Sequence, residues 1–151
     1  RCSVSAGTIY NYYESKADLL SDTIESIWHE IFFHPEDEQV FHDVESCISW
    51  IYERLEYGNR QFPGFFSLHS FGFMRDEKTS GKKRMMKTWG HILNGLCEVL
   101  GNDPKVRADV FDQEFTEKKF ADILFSLILV SMIRQDYDPS SVLMLVKKTL
   151  Y

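Results

Sequence analysis

Apolar residues recur every three or four positions along most of this chain, the period of an amphipathic helix and not the alternation of a strand. From Lys16 to about Phe33, residues Leu20, Ile24, Ile27, Trp28, Ile31 and Phe32 fall on one face. Pro35 stops that helix and suits the first turn of the next. The pattern predicts a second long helix from Glu36 to Tyr57, carried by Val40, Phe41, Val44, Cys47, Ile48, Ile51, Tyr52 and Leu55, with Gly58 as its left-handed stop. Pro63 opens a shorter helix to about Arg75, with Phe62, Phe66, His69 and Phe73 as its stripe. After a polar break, a helix from Lys82 to Leu100 buries Met85, Met86, Trp89, Ile92, Leu93, Leu96 and Val99, and Gly101 ends it. Asp103-Pro104 reads as an N-cap pair, followed by a short helix or loop to Glu114. Thr116 to Gln135 is apolar nearly all round, which predicts burial on more than one side. Asp138-Pro139 begins a last helix that carries Val142, Leu143, Leu145, Val146 and Leu150. No strand pattern of useful length and no internal repeat appears, so the fold class is all-α, with about seven or eight helices.

The first twenty residues have a different logic. Ser5 can cap a short helix over about residues 6–12, and Ser15-Lys16-Ala17-Asp18 has the spacing of a capping box for the helix that follows. A helix that short does not stand alone in water. It carries Thr8, Tyr10, Asn11 and Tyr12 and is followed by Lys16, a set of hydroxyl, amide and ammonium groups suited to phosphates and base edges.

The run Val4-Ser5-Ala6-Gly7-Thr8-Ile9-Tyr10-Asn11-Tyr12-Tyr13-Glu14-Ser15-Lys16-Ala17-Asp18-Leu19 resembles the end of the helix-turn-helix of the tetracycline-repressor family of transcriptional regulators. The likeness rests on Val4, Ser5, Gly7, Thr8, Ile9, Tyr10, Tyr12, Ser15, Lys16 and Leu19, matched without a gap. It is detailed over about the first 33 residues and architectural beyond them. The resemblance implies that Thr8, Tyr10 and Lys16 contact phosphates, and that Ser5, Ala6, Asn11 and Tyr12 face the major groove. Gly7 would permit close backbone approach. Ala6 departs from the Lys that many members carry, so a cationic contact is lost there. Tyr13 stands where Phe is usual and reads as packing. Two helices precede this segment in the family, whereas only Arg1, Cys2 and Ser3 come before Val4 and there is no initiator Met. The expectation is a chain without its natural N-terminus. Residues 1–20 would be a remnant of the DNA-binding head with its recognition helix at about 6–12, residues 16–33 a linking helix, and residues 34–151 an effector-binding and dimerisation domain.

Composition narrows this picture. A net charge of −6 argues against a general nucleic-acid coat but leaves room for a small DNA-reading head. Aromatic residues at 15% favour an aromatic interior or cavity. Cys2, Cys47 and Cys97 are odd in number and have no zinc spacing, so reduced cytosolic thiols are expected and the localisation reads as cytoplasmic. The most apolar run, Phe120 to Ile133, contains Asp122 and is too short to span a bilayer, so no membrane partner is expected.

The candidate pocket is an aromatic set: Phe62, Phe66, His69 and Phe73, with Met85, Met86 and Trp89 from the next helix and Trp50 or Tyr57 from the one before. For an arbitrary protein such a stripe is core. The resemblance favours a small apolar or aromatic effector, with His69 as the polar group that orients it. The pairs Glu25/His29, Glu30/His34 and Glu38/His42 have i,i+4 spacing, commoner as surface pairing than as metal sites. No metal or cofactor is expected. Lys82, Lys83, Arg84 and Lys87 read as a solvated face. On the last two helices, Ile123, Leu127, Val130, Val142, Leu145 and Val146 are candidates for a twofold dimer interface, which would also place two recognition helices on DNA. The function expected is a ligand-responsive DNA-binding regulator, a repressor released from its operator by an effector. The alternative is a helical small-molecule-binding or carrier module, or an enzyme, without a DNA role. No nucleophile elbow, phosphate loop or acid–base pair supports an enzyme.

Overall fold

The structure, a computed structural model, describes residues 16–68 and 80–151. Among these residues there are six α-helices and no strand: α1 (Lys16–Phe32), α2 (Val44–Gln61), α3 (Phe65–Leu68), α4 (Ser80–Asn102), α5 (Glu117–Arg134) and α6 (Ser140–Leu150), with a 3₁₀ segment (Pro35–His42) between α1 and α2. The all-α expectation therefore holds over the described chain. None of these helices is long and apolar enough to cross a membrane.

In α1, Ile24, Trp28 and Ile31 are buried at 4- and 3-residue spacing, while Glu25, Ser26, His29 and Glu30 are exposed. This helix packs along α4 and also touches α2. Its C-terminus is held by α2. Arg54 Nε donates to the Ile31 carbonyl at 2.6 Å and its Nη2 to the Glu30 carbonyl at 3.3 Å, which satisfies carbonyls that a helix end leaves free. The same guanidinium lies 4.3 Å over the Tyr57 ring.

The long helix anticipated from Glu36 to Tyr57 is two elements. Asp43 is extended (φ −142°, ψ 155°) and caps α2, accepting from the Ser46 amide at 2.9 Å and the Ser46 hydroxyl at 2.8 Å. Asp37, at φ −94° and ψ 15°, breaks the preceding 3₁₀ segment again. Val40, Phe41 and Val44 keep a helical spacing across the break, which is why periodicity alone runs through it. Gly58 is not a stop either, since α2 continues to Gln61. A Cβ there would lie 2.6 Å from Ile31 Cδ1 and 3.0 Å from Phe66 Cζ, so this glycine lets α1 and α3 approach α2 closely. The turn after α2 comes at Gly64, whose φ of 78° only glycine adopts without strain.

Residues 103–116 form turns, not a helix. Asp103 is buried (5% exposed). Its carboxylate accepts from the Val44 amide at 3.0 Å, the Lys105 amide at 2.9 Å and the Tyr151 hydroxyl, joining the start of α2 to the chain after α6. Thr116 caps α5 through its contact with the Lys119 amide. The C-terminus of α5 is closed by Gln135 in the left-handed region (φ 53°), with the Asp136 amide donating back to Ser131.

Helix α5 does not bury its whole surface within the chain. Phe120, Ala121, Leu124, Ile128 and Met132 face the core, whereas Ile123, Val130 and Ile133 are 45–54% exposed. The core is one continuous cluster that includes Trp28, Ile31, Ile48, Tyr52, Leu55, Phe66, Leu96, Leu100, Leu124, Met132, Val146 and Leu150. Each such side chain contributes about 1.5–3 kcal/mol on burial.

Candidate functional site: an aromatic cleft beside α1

Trp28 and Phe32 are four residues apart on α1, and their rings stack at 5.7 Å between centroids. Behind Trp28, Phe65 and Phe66 of α3 each lie at 5.5 Å. On the other side, Trp50 of α2 meets Phe32 edge-on at 6.1 Å and Phe41 at 5.2 Å. Trp28, Phe32, Phe41 and Trp50 bound a cleft of about 650 Å³. Helix α1 and the residue after it supply Glu25, Trp28, His29, Phe32 and Phe33. The 3₁₀ segment supplies Phe41, α2 supplies Cys47, Trp50 and Ile51, and α4 supplies Lys87, Thr88, His91, Ile92, Gly95 and Leu96. Phe33 and Phe41 are exposed (60% and 38%), so the cleft opens to solvent on that side. The size falls within the 300–1,000 Å³ usual for small-molecule sites, and the mostly apolar lining with a few polar groups is equally typical.

The polar groups differ in how firmly they are held. The Trp50 indole N–H donates to Asp37 at 2.8 Å, which fixes that ring against the 3₁₀ segment. Trp28 is 2% exposed, and its indole N–H is buried without a hydrogen-bond partner among the described residues. The Cys47 thiol is pushed up to about 12 by burial and then by the nearby Asp43 charge, so it stays protonated and is no nucleophile. Lys87 and His91 of α4, and Glu25 and His29 of α1, are exposed at the rim.

Among the described residues, one member of the anticipated aromatic set, Trp50, lines this cleft. Phe66 is 1% exposed and packs behind Trp28 in the core. Trp89 is buried against Phe125, at 5.6 Å between rings. Tyr57 lies under Arg54, its hydroxyl donating to Glu30 at 3.3 Å. Phe62 packs edge-on against Phe65, and Met86 is 52% exposed. The physical reason is the turn at Gly64, after which the Phe65–Phe66 pair packs under α1 instead of lining a space of its own. His69 and Phe73 lie outside the described residues, as do Ser5, Ala6, Gly7, Thr8, Tyr10, Asn11 and Tyr12, and so do the side chains of Lys16 and Met85. The cleft residues absent from the anticipated set include Trp28, Phe32, Phe33, Phe41, His91 and Gly95. Phe32 and Phe33 carried a signal, since two adjacent aromatics at a helix end cannot share one face.

Among the described residues, one group has a metal-like arrangement, His34, Glu36 and Asp37. Its ligand atoms are already used. His34 Nδ1 pairs with Glu36 at 2.8 Å, His34 Nε2 lies 2.7 Å from Arg54 Nη2, and Asp37 accepts from Trp50. Nδ1–H donating and Nε2 accepting satisfies the Glu36 and Arg54 contacts, whereas the third, Nε2 with the Glu30 carbonyl at 2.9 Å, would need a proton on Nε2. The hydrogen bond from His34 holds the Glu36 carboxyl below its usual range.

On the last two helices, Ile123 and Val130 are exposed one heptad apart, Leu127 is half-buried between them, and Leu145 is 39% exposed. Val142 and Val146 are buried within the single chain, at 7% and 0% exposed. Ile133 and Met144, which the pattern did not single out, are exposed at 54% and 59%.

Comparison of the chain with protein-family models, curated proteins and solved structures finds no match.

Proposed function

We propose that this protein is a ligand-responsive DNA-binding transcriptional regulator, a homodimer in which a small apolar or aromatic effector in the cleft releases the operator. The observation that carries the reading is the placement of α1. The tetracycline-repressor-like run Val4–Leu19 leads directly into it. The same helix supplies one wall of the cleft through Trp28, His29 and Phe32. A ligand there touches the element that joins the DNA-reading segment to the body, so it favours some positions of that element over others. Such a differential contact is what a population shift requires. The stripe of exposed Ile123 and Val130 with half-buried Leu127 between them supports pairing with a second copy, since a twofold dimer would cover it.

A gel shift of the full-length protein on its upstream DNA, titrated with salt, tests this. The expected result is a sequence-specific shift that Tyr10→Ala and Lys16→Ala each weaken at least about tenfold, equivalent to about 1.4 kcal/mol. No specific shift, or variants that bind like wild type, would sink the DNA reading and leave a carrier module. For the dimer, Val130→Glu is expected to yield monomer by sedimentation, with the helix content kept.

A further inference from the structure

The cleft has two unlike ends. On α4 the residues that line it are Lys87, Thr88 and His91, followed by Ile92, Gly95 and Leu96. On α1, Glu25 and His29 likewise precede Phe32 and Phe33. The two helices run in the same sense beside the cleft, because the C-terminal end of each meets the first half of α2. Phe32 lies edge-on to Trp50, and Asp103, just after α4, accepts from the Val44 amide. The polar ends therefore lie together, and the apolar ends meet Phe41 and Trp50. The polar end is richer in base than in acid. Glu25 is the one carboxylate among the described lining residues, against Lys87, His29 and His91. His29 stacks on Phe33 at 4.4 Å between ring centroids. Lys87 and His91 are exposed one turn apart on α4, and among the described residues neither makes a hydrogen bond or an ion pair. Lys105, by contrast, is engaged with Asp43 and Glu45. An ammonium and an imidazole at this spacing can donate to one carboxylate together, since lysine carries three N–H groups and histidine in either charge state at least one.

Resting on the reading of the cleft as a ligand site, we propose that it takes an aromatic carboxylate, its ring system among Phe32, Phe41 and Trp50 and its carboxylate on Lys87 Nζ and the His91 imidazole. Phe32 and Phe41 each stand edge-on to Trp50, and rings so placed accept a further flat ring by stacking or edge contact. Along α4, His91 and Lys87 precede Gly95 by about 6 and 12 Å, a distance that a one- or two-ring acid spans. The carboxylate keeps much of its hydration there, because both of its partners are exposed, and so avoids the penalty of a buried charge. Exposed charge pairs are weak, so the rings supply most of the affinity and the charges supply direction and a salt-dependent preference.

Three probes on one ring system separate ring from charge: 2-naphthoate, its neutral counterpart 2-acetonaphthone, and the cation 2-naphthylmethylammonium, each titrated into the full chain and followed by tryptophan quenching and calorimetry. At low salt, naphthoate is expected to bind about five- to tenfold tighter than the ketone, and the margin closes as salt is raised. The cation binds no tighter than the ketone. Lys87→Gln and His91→Gln each lower naphthoate affinity about two- to threefold, and together they bring it to that of the ketone, whose own binding they leave unchanged. Lys83→Gln removes an exposed charge from the same helix outside the cleft and keeps the preference. Gly95→Leu fills the cleft from α4, where a Cβ meets nothing within 4 Å, and is expected to abolish binding of every probe while the melting temperature is kept. Ketone or cation bound as tightly as naphthoate, a preference that survives the double variant or is equally lost in Lys83→Gln, or binding of no probe at all would each overturn the proposal. So would binding untouched by Gly95→Leu, which places the ligand elsewhere. Naphthoate held by Lys87 and His91 with no effect on DNA affinity would leave this inference standing and count against the regulator reading alone.

Discussion

Helix α2 serves two regions that are built in opposite ways. Toward α1 and α4 it presents Cys47, Trp50 and Ile51 to an open cleft of about 650 Å³. At its N-terminus it is locked. The Val44 amide and the Tyr151 hydroxyl both donate to buried Asp103, and Lys105 lies within 3.5 Å of Asp43 and Glu45. Arg107 extends the same clasp to the end of α6, its amide donating to the Leu150 carbonyl at 2.8 Å. The difference shows where the chain fixes its geometry and where it leaves room. One region satisfies its buried polar groups internally, and the other leaves space.

The contrast is broken most directly by truncating one side chain in the closed core and one at the cleft. Leu124→Ala, in the closed core at 0% exposure, is expected to cost about 3–4 kcal/mol in denaturant unfolding. Phe41→Ala at the cleft mouth, 38% exposed, is expected to cost about 1 kcal/mol or less. Equal costs would mean that the cleft is as tightly packed as the core. Next in size is Asp103→Ala, expected to lose about 2–3 kcal/mol because it strands a buried amide and a hydroxyl.

A pH series sharpens the comparison from the cleft side. The Cys47 thiol is raised from 9.0 to about 12, so its stabilising share is complete below about pH 9 and is lost as pH rises toward 12. Cys47→Ala is expected to flatten that alkaline limb of a stability–pH curve. An unchanged limb would show that the thiol is not sealed. The smallest effect concerns glycine. Gly58→Ala is expected to destabilise by about 1 kcal/mol net, the crowding of Ile31 and Phe66 outweighing the gain in helix propensity. Gly90→Ala, where a Cβ meets nothing, is expected to stabilise by about 0.5–1 kcal/mol.

Much of the helical layout was legible in the sequence because long amphipathic stripes leave few alternatives. Trp28, Ile31, Ile48, Leu55, Leu96 and Leu124 are buried where their spacing placed them. The failures share a cause. Val40, Phe41 and Val44 keep step across a break that Asp43 makes by capping, and periodicity does not register a cap. Gly58 reads locally as a stop, yet its role is set by Ile31 and Phe66, distant in sequence. Asp103 reads as a local N-cap and instead reaches 59 positions back to Val44. The aromatic stripe around Phe66 misled for the same reason, since a stripe does not say whether it faces a neighbour or a space. Among the described residues of the anticipated pocket, Trp50 lines the cleft.

The grip of Arg54 on the Ile31 and Glu30 carbonyls has a mechanical consequence. A rod held at one end moves as a lever. Helix α1 has 17 residues, which at about 1.5 Å each makes an arm of about 25 Å. With the fulcrum at Ile31, a tilt of about 5° carries the Lys16 end sideways by about 2 Å, while side chains near the fulcrum move only fractions of an ångström. Trp28 and Phe32 sit close to that fulcrum, one on each side of it. A small wedge between them and α4 is therefore magnified along the helix.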